Sequence, residues 1–395
     1  MHIKTTTSFY NLTHQTLMYL TCVCFFSLAL GTAPLTISSL AALTVWLFSG
    51  ICYREHSVWS KQSWLPPVLL LLLLPWVGML WSDSPLHKQN FAERSYYWLF
   101  PLVAATAIKS EADLRRIVIS FIAGMTVTAL PILLYSFSLL PSMYFMTRIA
   151  AQGYITYSLL LVIAVILLAR FFRTTADARH KAAIIAAAVI LLLTVTQLSG
   201  RSGYLTLLLL SPWIFITMFG AKRFIPVSVA LLLAIAALVS SDKFQERIAL
   251  IPKEIEMHLA GSTAETSVGA RLQMWKDAWI IFTKHPLAGA GTAGYKHETS
   301  LMHDGKDFNH PHNSYLFVAA NYGIVGLLIY SWLAFLTLKR AWLARATLQG
   351  HTIMAFMTVI MIGSLTDTSI LSVATGIALG FIVGIPTTEQ KTCVS

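Results

Sequence analysis

His312 and Asn313 hold the position in this chain best suited to acid–base chemistry. They close a polar stretch rich in Gly and His, GAGTAGYKHETSLMHDGKDFNHPH, and open a long apolar run. A neutral imidazole at such a seam is a natural base near neutral pH, although an interfacial or capping role suits His312 as well. Asn313 is placed to cap the helix that follows. Arg201, in SGRSGYL, heads an otherwise apolar run. It reads either as an anchor that snorkels to the headgroups or as a phosphate ligand. Arg271 and Arg148 are predicted on the same side of the membrane, and several guanidinium forks converging there suit a phosphate or pyrophosphate.

Other chemistry is disfavoured by spacing. GAGTAG (residues 289–294) follows no strand and lacks a Lys-Ser/Thr ending, so it is read as a tight turn that brings a loop onto the spans and not as a nucleotide loop. His297, His303, Asp304, Asp307, His310 and His312 include metal-ligating residue types, yet no His-x-x-x-His or His-Glu-x-x-His pattern appears, and no metal or other cofactor is expected. Neither a Gly-x-Ser-x-Gly elbow nor a Ser-His-Asp ordering is present, which argues against a serine hydrolase.

These residues must be positioned by membrane helices. The chain has 395 residues, 56% hydrophobic and 11% charged, with mean hydropathy +0.68, far from the ~25% charged residues of soluble domains. Its apolar runs are long and show little alternation, which selects helices over a barrel. The net charge of +11 comes from short basic clusters between apolar runs. That pattern sets topology in a bilayer and does not indicate nucleic-acid binding. Cys22, Cys24, Cys52 and Cys393 form neither a disulfide framework nor a zinc spacing in the large loop.

The predicted fold is an all-α polytopic membrane protein of about twelve transmembrane helices, with a large periplasmic loop that contains amphipathic helices. Spans are expected at 17–30, kept as a retained first helix and not a signal peptide, then at 34–53, 65–81, 96–108, 117–140, 149–172, 182–198, 204–219 and 224–240, with the last three at 314–338, 353–365 and 370–385. Residues 1–240 thus hold the first nine spans, 241–312 the external loop region, 313–386 the last three spans and 387–395 a tail. With the N-terminus in the cytoplasm, the short-loop cations (Arg54 and Lys61, Lys109 to Arg116, Arg170 to Lys181, Lys222 and Arg223, Lys339 to Arg345) fall inside. An even span number returns the C-terminus to the same side. In the loop, Phe244, Ile248, Ile251, Ile255 and Leu259 recur at helical spacing, as do Leu272, Trp275, Trp279 and Phe282, with Arg271 on the face of Trp275. Pro286 is expected to end the second helix.

Taken together, these segments resemble the lipopolysaccharide O-antigen ligase and polymerase superfamily, and within it the O-antigen ligases most. The family's His-Asn signature, nine residues and then Gly-x-x-Gly, is matched by His312, Asn313, Gly323 and Gly326. Its Arg-x-x-x-Leu element is matched by Arg201 and Leu205, and its loop motif by GARLQMW, with Arg271 and Trp275. Asp367 in TDTS is similar to an acidic residue that the ligases carry between their last spans, and Arg148 is a looser match. The resemblance implies a bacterial inner-membrane glycosyltransferase with its active site facing the periplasm, working without metal or nucleotide. It would transfer O-polysaccharide from undecaprenyl pyrophosphate to a hydroxyl of lipid A-core, with inversion. His312 would be the base, Arg201 and Arg271 the pyrophosphate ligands, and Asn313, Arg148, Trp275 and Asp367 substrate-binding residues. An O-antigen polymerase shares the donor. A lipid-glycan transporter would be expected to show inverted halves, and none is apparent.

Overall fold

The computed structural model describes residues 2–85, 87–140, 153–198, 201–220, 267–305 and 308–387, with the backbone alone for residues 2–9, 201, 267 and 268. These residues form helices and no strand: α1 (His2–Ser27), α2 (Thr32–Phe48), α3 (Ile51–Arg54), α4 (His56–Trp59), α5 (Leu65–Val77), α6 (Lys88–Glu93), α7 (Phe100–Ala107), α8 (Glu111–Ser136), α9 (Tyr154–Thr174), α10 (Ala178–Gln197), α11 (Arg201–Phe219), α12 (Ser267–Lys284), α13 (Gly294–Met302), α14 (Ser314–Leu343), α15 (Leu348–Gly363) and α16 (Val373–Gly384). Five of them, α8, α9, α10, α11 and α14, are long and apolar enough to cross a membrane, and α2, α5, α15 and α16 are shorter apolar helices. The expected span 224–240 and the amphipathic stretch 242–259 lie outside the described residues.

Local sequence sets the helix ends. Ser110 and Asp113 form a reciprocal capping box at α8, with Ser110 Oγ accepting from Asp113 N–H (3.2 Å) and Asp113 Oδ2 from Ser110 N–H (3.0 Å). Asp177 caps α10 and Thr347 caps α15. Several helix ends differ from the expected span limits by a few residues, α1 starts as early as His2, and two of the differences have a clear local cause. The second span stops at Phe48, where Gly50 takes a left-handed conformation (φ 77°) and turns the chain into α3. Residues Arg94–Leu99 form a 3₁₀ turn, and α7 starts only at Phe100, because Pro101 lacks an N–H and fits a first helical turn.

Helix α9 is apolar on all sides and buried from Ile155 to Ala169, as a central helix must be. Around it an aromatic cluster ties α1, α7, α8, α15 and α16. Phe25 lies 5.5 Å from Phe381, Phe100 stacks on Phe381 at 4.8 Å, and Phe121 meets Phe356 at 5.2 Å between centroids. Ile37, Leu47 and Phe48 on α2, Ile185 and Val189 on α10, and Leu328 and Phe335 on α14 are exposed, the outward apolar surface expected against lipid.

The element that shapes the site is α14. Its 30 residues would extend about 45 Å, whereas the 16 residues of α15 extend about 24 Å. The two helices nevertheless meet at both ends. Ser314 N–H donates to Ser364 O (2.9 Å) at one end, and Gly350 packs on the carbonyls of Ala341 and Ala344 at the other. Partners so unequal can share both ends only if the longer one bends, and α14 does so at Gly323 (φ 62°, ψ −156°). Beyond the bend, Ile324 to Leu343 spans about 30 Å, one hydrocarbon thickness, and its large apolar residues become exposed there.

Candidate active site

A bend of this kind frees backbone groups that a low-dielectric setting cannot leave unpaired. The segment after α12 takes them up. Ile324 N–H donates to Pro286 O (2.8 Å) and Val325 N–H to Leu287 O (3.2 Å), while Ala290 and Gly291 donate to the carbonyls of Ala320 and Asn321 (2.9 Å each). A Cβ at Gly289 would lie 2.2 Å from the Asn321 backbone, and one at Gly323 would lie 2.3 Å from Leu287 O, so both positions require glycine for backbone-to-backbone approach. GAGTAG is therefore the tight turn onto the spans that its missing strand context indicated. Thr292 fastens it to α5 through Pro75 O (2.5 Å) and Gly78 O (3.1 Å). Asn321, fully buried, accepts from Tyr295 N–H (3.1 Å) and donates to Phe317 O (2.8 Å). Sequence reasoning passed over Asn321. Its signal was an amide inside the apolar run FVAANYG, next to the glycine at which the helix breaks.

At the other end of the first segment of α14 stand the expected pair. Asn313 Oδ1 accepts from the backbone N–H groups of Tyr315 and Leu316 (3.0 Å each), so it is the N-cap, and its Nδ2 donates to Leu365 O (3.1 Å). Ser314 Oγ lies 3.2 Å from the Asp367 carbonyl. These bonds bring the turn after α15 onto the start of α14. His312 Nδ1 is consequently 3.2 Å from Asp367 Oδ1, with side-chain exposures of 32% and 14%. An ionised carboxylate only accepts, so in this contact Nδ1 is the donor, and in the neutral imidazole Nε2 is then the nitrogen that carries the free lone pair. His312 also has positive φ (50°), a conformation rarely taken by a non-glycine residue.

His310 packs edge-to-face on His312 with centroids 4.4 Å apart. Burial, followed by the proximity of His312 and, more weakly, of Arg94, pushes His310 down to about 4 against the opposing pull of Asp367. It stays neutral at neutral pH. Arg94, which no sequence motif singled out, lies over Phe91 (5.6 Å) and donates to Leu371 O (3.0 Å), four residues beyond Asp367.

The remaining candidates are placed by their helices. Ser202 Oγ is 2.6 Å from Thr366 Oγ1. The start of α11, where Arg201 stands, therefore abuts the turn that carries Asp367. Helix α12 runs parallel to the first segment of α14: Pro286 and Leu287, just past α12, pair with Ile324 and Val325, while Ala278 and Ile281 cluster with Leu316 and Ala320. Following either helix outward for about 10 Å brings Arg271 to the level of His312. Asp277, nearly fully buried, accepts from Gln273 on its own helix (2.8 Å) and ties α12 to the end of α13 by pairing with His303 Nε2 (2.8 Å), and Tyr295 OH donates to Met274 O (3.2 Å). Trp275, on the same helix, has a buried indole N–H with no hydrogen-bond partner among the described residues. Arg148 and Asp307 lie outside the described residues. Among those described, no group of three His, Cys, Asp or Glu side chains is arranged for a metal ion.

Below the His312–Asp367 pair, the gap between bent α14 and straight α15 is an apolar cavity of about 330 Å³. Trp98, Tyr330, Phe335, Met357 and Leu379 line it, and Ser314, which holds the Asp367 turn, lies at its upper end.

Two comparisons bear on this arrangement. A family model described as O-antigen ligase matches residues 183–331. The match supports a place for this segment in the O-antigen ligase/polymerase superfamily. The matched segment contains Arg201, Arg271, Trp275, His312 and Asn313, whereas Asp367 and Arg94 lie beyond its ends. The chain is also similar to an uncharacterized protein of Haemophilus influenzae, 29% identical over 117 residues, which is 27% of this chain and 29% of that protein.

Proposed function

We propose that the chain is an O-antigen ligase. It would transfer O-polysaccharide from undecaprenyl pyrophosphate to a hydroxyl of lipid A-core at the periplasmic face of a bacterial inner membrane, with about twelve spans and both termini cytoplasmic. The observation that carries this reading is the His312–Asp367 pair at the head of an apolar cavity. In this reading the neutral His312 imidazole would offer Nε2 to a lipid-borne hydroxyl arriving near Ser314, which lines the cavity and bonds the Asp367 turn.

In this reading His312 Nε2 takes the proton of the acceptor hydroxyl as its oxygen attacks the anomeric carbon. The bond from that carbon to the pyrophosphate breaks, undecaprenyl pyrophosphate leaves with the electron pair, and the configuration inverts. Asp367 keeps the imidazole in the right tautomer and stabilises the imidazolium that forms. A positioned base contributes about 10²- to 10⁴-fold. Arg201 and Arg271 would hold the pyrophosphate and the charge it gains, with Trp275 and Arg148 beside the substrate, while Asn313 acts through the turn it fastens. The hydrocarbon of a lipid substrate would occupy the cavity between α14 and α15. The pyrophosphate donor already stores the free energy of transfer and arginines supply the positive charge, so the reaction is expected to survive a chelator. Rescue of a chelated enzyme by one divalent ion would overturn that point.

The test is a reconstituted reaction of the detergent-solubilised chain with lipid-linked O-antigen and lipid A-core. Capped lipid A-core is the expected product, and His312→Ala should lower its rate at least about 10²-fold with unchanged protein level. Full transfer by His312→Ala would defeat the mechanism. Glycan elongation with no lipid A-core present would identify a polymerase, and movement of the lipid-linked glycan across vesicles without bond formation a transporter.

A further inference from the structure

At the membrane face opposite His312, the ends of α8, α9 and α10 diverge around an apolar cavity of about 520 Å³. Its walls are aliphatic, with Ile122, Leu168 and Ile184 prominent, and small residues such as Ala123, Ala183 and Ala187 leave the space between the helices unfilled. Following α10 from His180 to Ala187, the cavity runs about 10 Å into the hydrocarbon zone. It opens sideways beside exposed Ile119 and Ile185. A dry void of this size forfeits the dispersion contacts that interiors depend on, so in a bilayer it would be filled.

The mouth carries a matching charge. Arg115 is exposed, its guanidinium 5.7 Å over the Phe171 ring, and among the described residues it takes part in no ion pair. Of the three nearby carboxylates, Asp113 is engaged by Ser110 and Arg116 (3.4 Å) and Asp177 by the backbone and ring of His180, while Glu111, exposed one turn before Arg115, makes no ion pair with it among the described residues. Arg173 and Arg179 are exposed at the same end of the bundle.

We propose that this cavity is a binding site for an anionic glycerophospholipid, with one acyl chain between α8, α9 and α10 and the headgroup phosphate on Arg115. Charge complementarity selects the headgroup, since basic pockets between spans capture anionic lipids, and the apolar walls select the chain. Such a lipid would fix α10, which is the least enclosed of the long helices, and it would do so at a distance from the transfer site.

The test uses the full chain, delipidated in detergent, with native mass spectrometry and thermal unfolding in the presence of phosphatidylglycerol or phosphatidylcholine. Phosphatidylglycerol is expected to stay bound and raise Tm, at least about tenfold tighter than phosphatidylcholine. Arg115→Ala should remove that preference and Arg115→Lys should retain most of it. Ala187→Phe, which fills the cavity while leaving the cation, should abolish retention of either lipid, with circular dichroism confirming the fold. Equal retention of the two lipids by the wild type, unchanged preference in Arg115→Ala, or unchanged binding in Ala187→Phe would each overturn the proposal. So would an equal rise in Tm with inorganic phosphate alone, which would indicate an anion site without a lipid chain.

Discussion

Replacement of Asp367 by Asn tests the site most directly, because it keeps the shape of the His312 partner and removes only its charge. At 3.2 Å, attraction between a carboxylate and an imidazolium is about 5 kcal/mol at an effective dielectric constant of ~20 and about 1.3 kcal/mol at ~80. His312 is one-third exposed and Asp367 only 14% exposed, so the interaction lies between these limits, at roughly 2 to 3 kcal/mol. With about 1.4 kcal/mol per decade, Asp367→Asn should slow transfer roughly 30- to 150-fold. The loss should fall on kcat with KM little changed, since the imidazolium exists only as the hydroxyl reacts. Acting through one base, the two residues should not be additive: His312→Ala with Asp367→Asn should be no slower than His312→Ala alone. The assay is steady-state transfer with both lipid substrates, with the amount of folded protein measured in parallel. An Asp367→Asn enzyme within about threefold of wild type, or a double variant slower by the product of the single effects, would refute the assigned roles.

Gly323→Ala places a Cβ 2.3 Å from Leu287 O at a φ of 62°. It should cost more than the ~1 to 3 kcal/mol of backbone strain alone and lower Tm in detergent. Gly50→Ala, at φ 77° but with no described atom within 4 Å of the added Cβ, should cost less, and equal losses would show that the packing at the bend is unimportant. Burial holds His310 near 4, below the ~6.5 of an unfolded chain. The unfolded state therefore binds more protons between these values, and stability should fall as pH drops from about 6.5 to 4, by up to about 3 kcal/mol. His310→Asn should flatten that slope in a pH series of thermal melts. Asn313→Ala removes a cap worth about 1 kcal/mol together with the tie to Leu365, whereas Asn313→Asp keeps the cap and loses only the tie. Transfer by Asn313→Asp at the wild-type rate would show that the Leu365 tie does not position His312.

Much of the site was legible because its residues obey local rules. Asn313 precedes an apolar run and caps it, Pro286 follows the end of α12, and the glycines of GAGTAG lack the context of a phosphate loop. Other features depend on contacts remote in the chain. Asp367 was read as a substrate residue, and its approach to His312 arises from Ser314 bonding the turn after α15, 50 residues away, which no periodicity encodes. The bend at Gly323 was hidden because an apolar run looks the same whether its helix is straight or broken. The distinguishing fact is the mismatch in length between α14 and α15, which emerges only once their ends are paired.

That bend links the external loop to the chemistry. A straight α14 of about 45 Å would exceed the ~30 Å of hydrocarbon by several turns and would leave no gap beside α15. Bending at Gly323 brings Ser314 back to Ser364, opens the cavity beneath, and sets His312 against Asp367. The bend persists because Pro286, Leu287, Ala290 and Gly291 satisfy the backbone groups it releases. The turn Gly289 to Gly294, far from the reacting atoms, thus holds the lipid-sized cavity and the base in one arrangement. Loosening that turn would be felt in substrate binding and in catalysis together, whereas loss of Asp367 would be felt in catalysis alone.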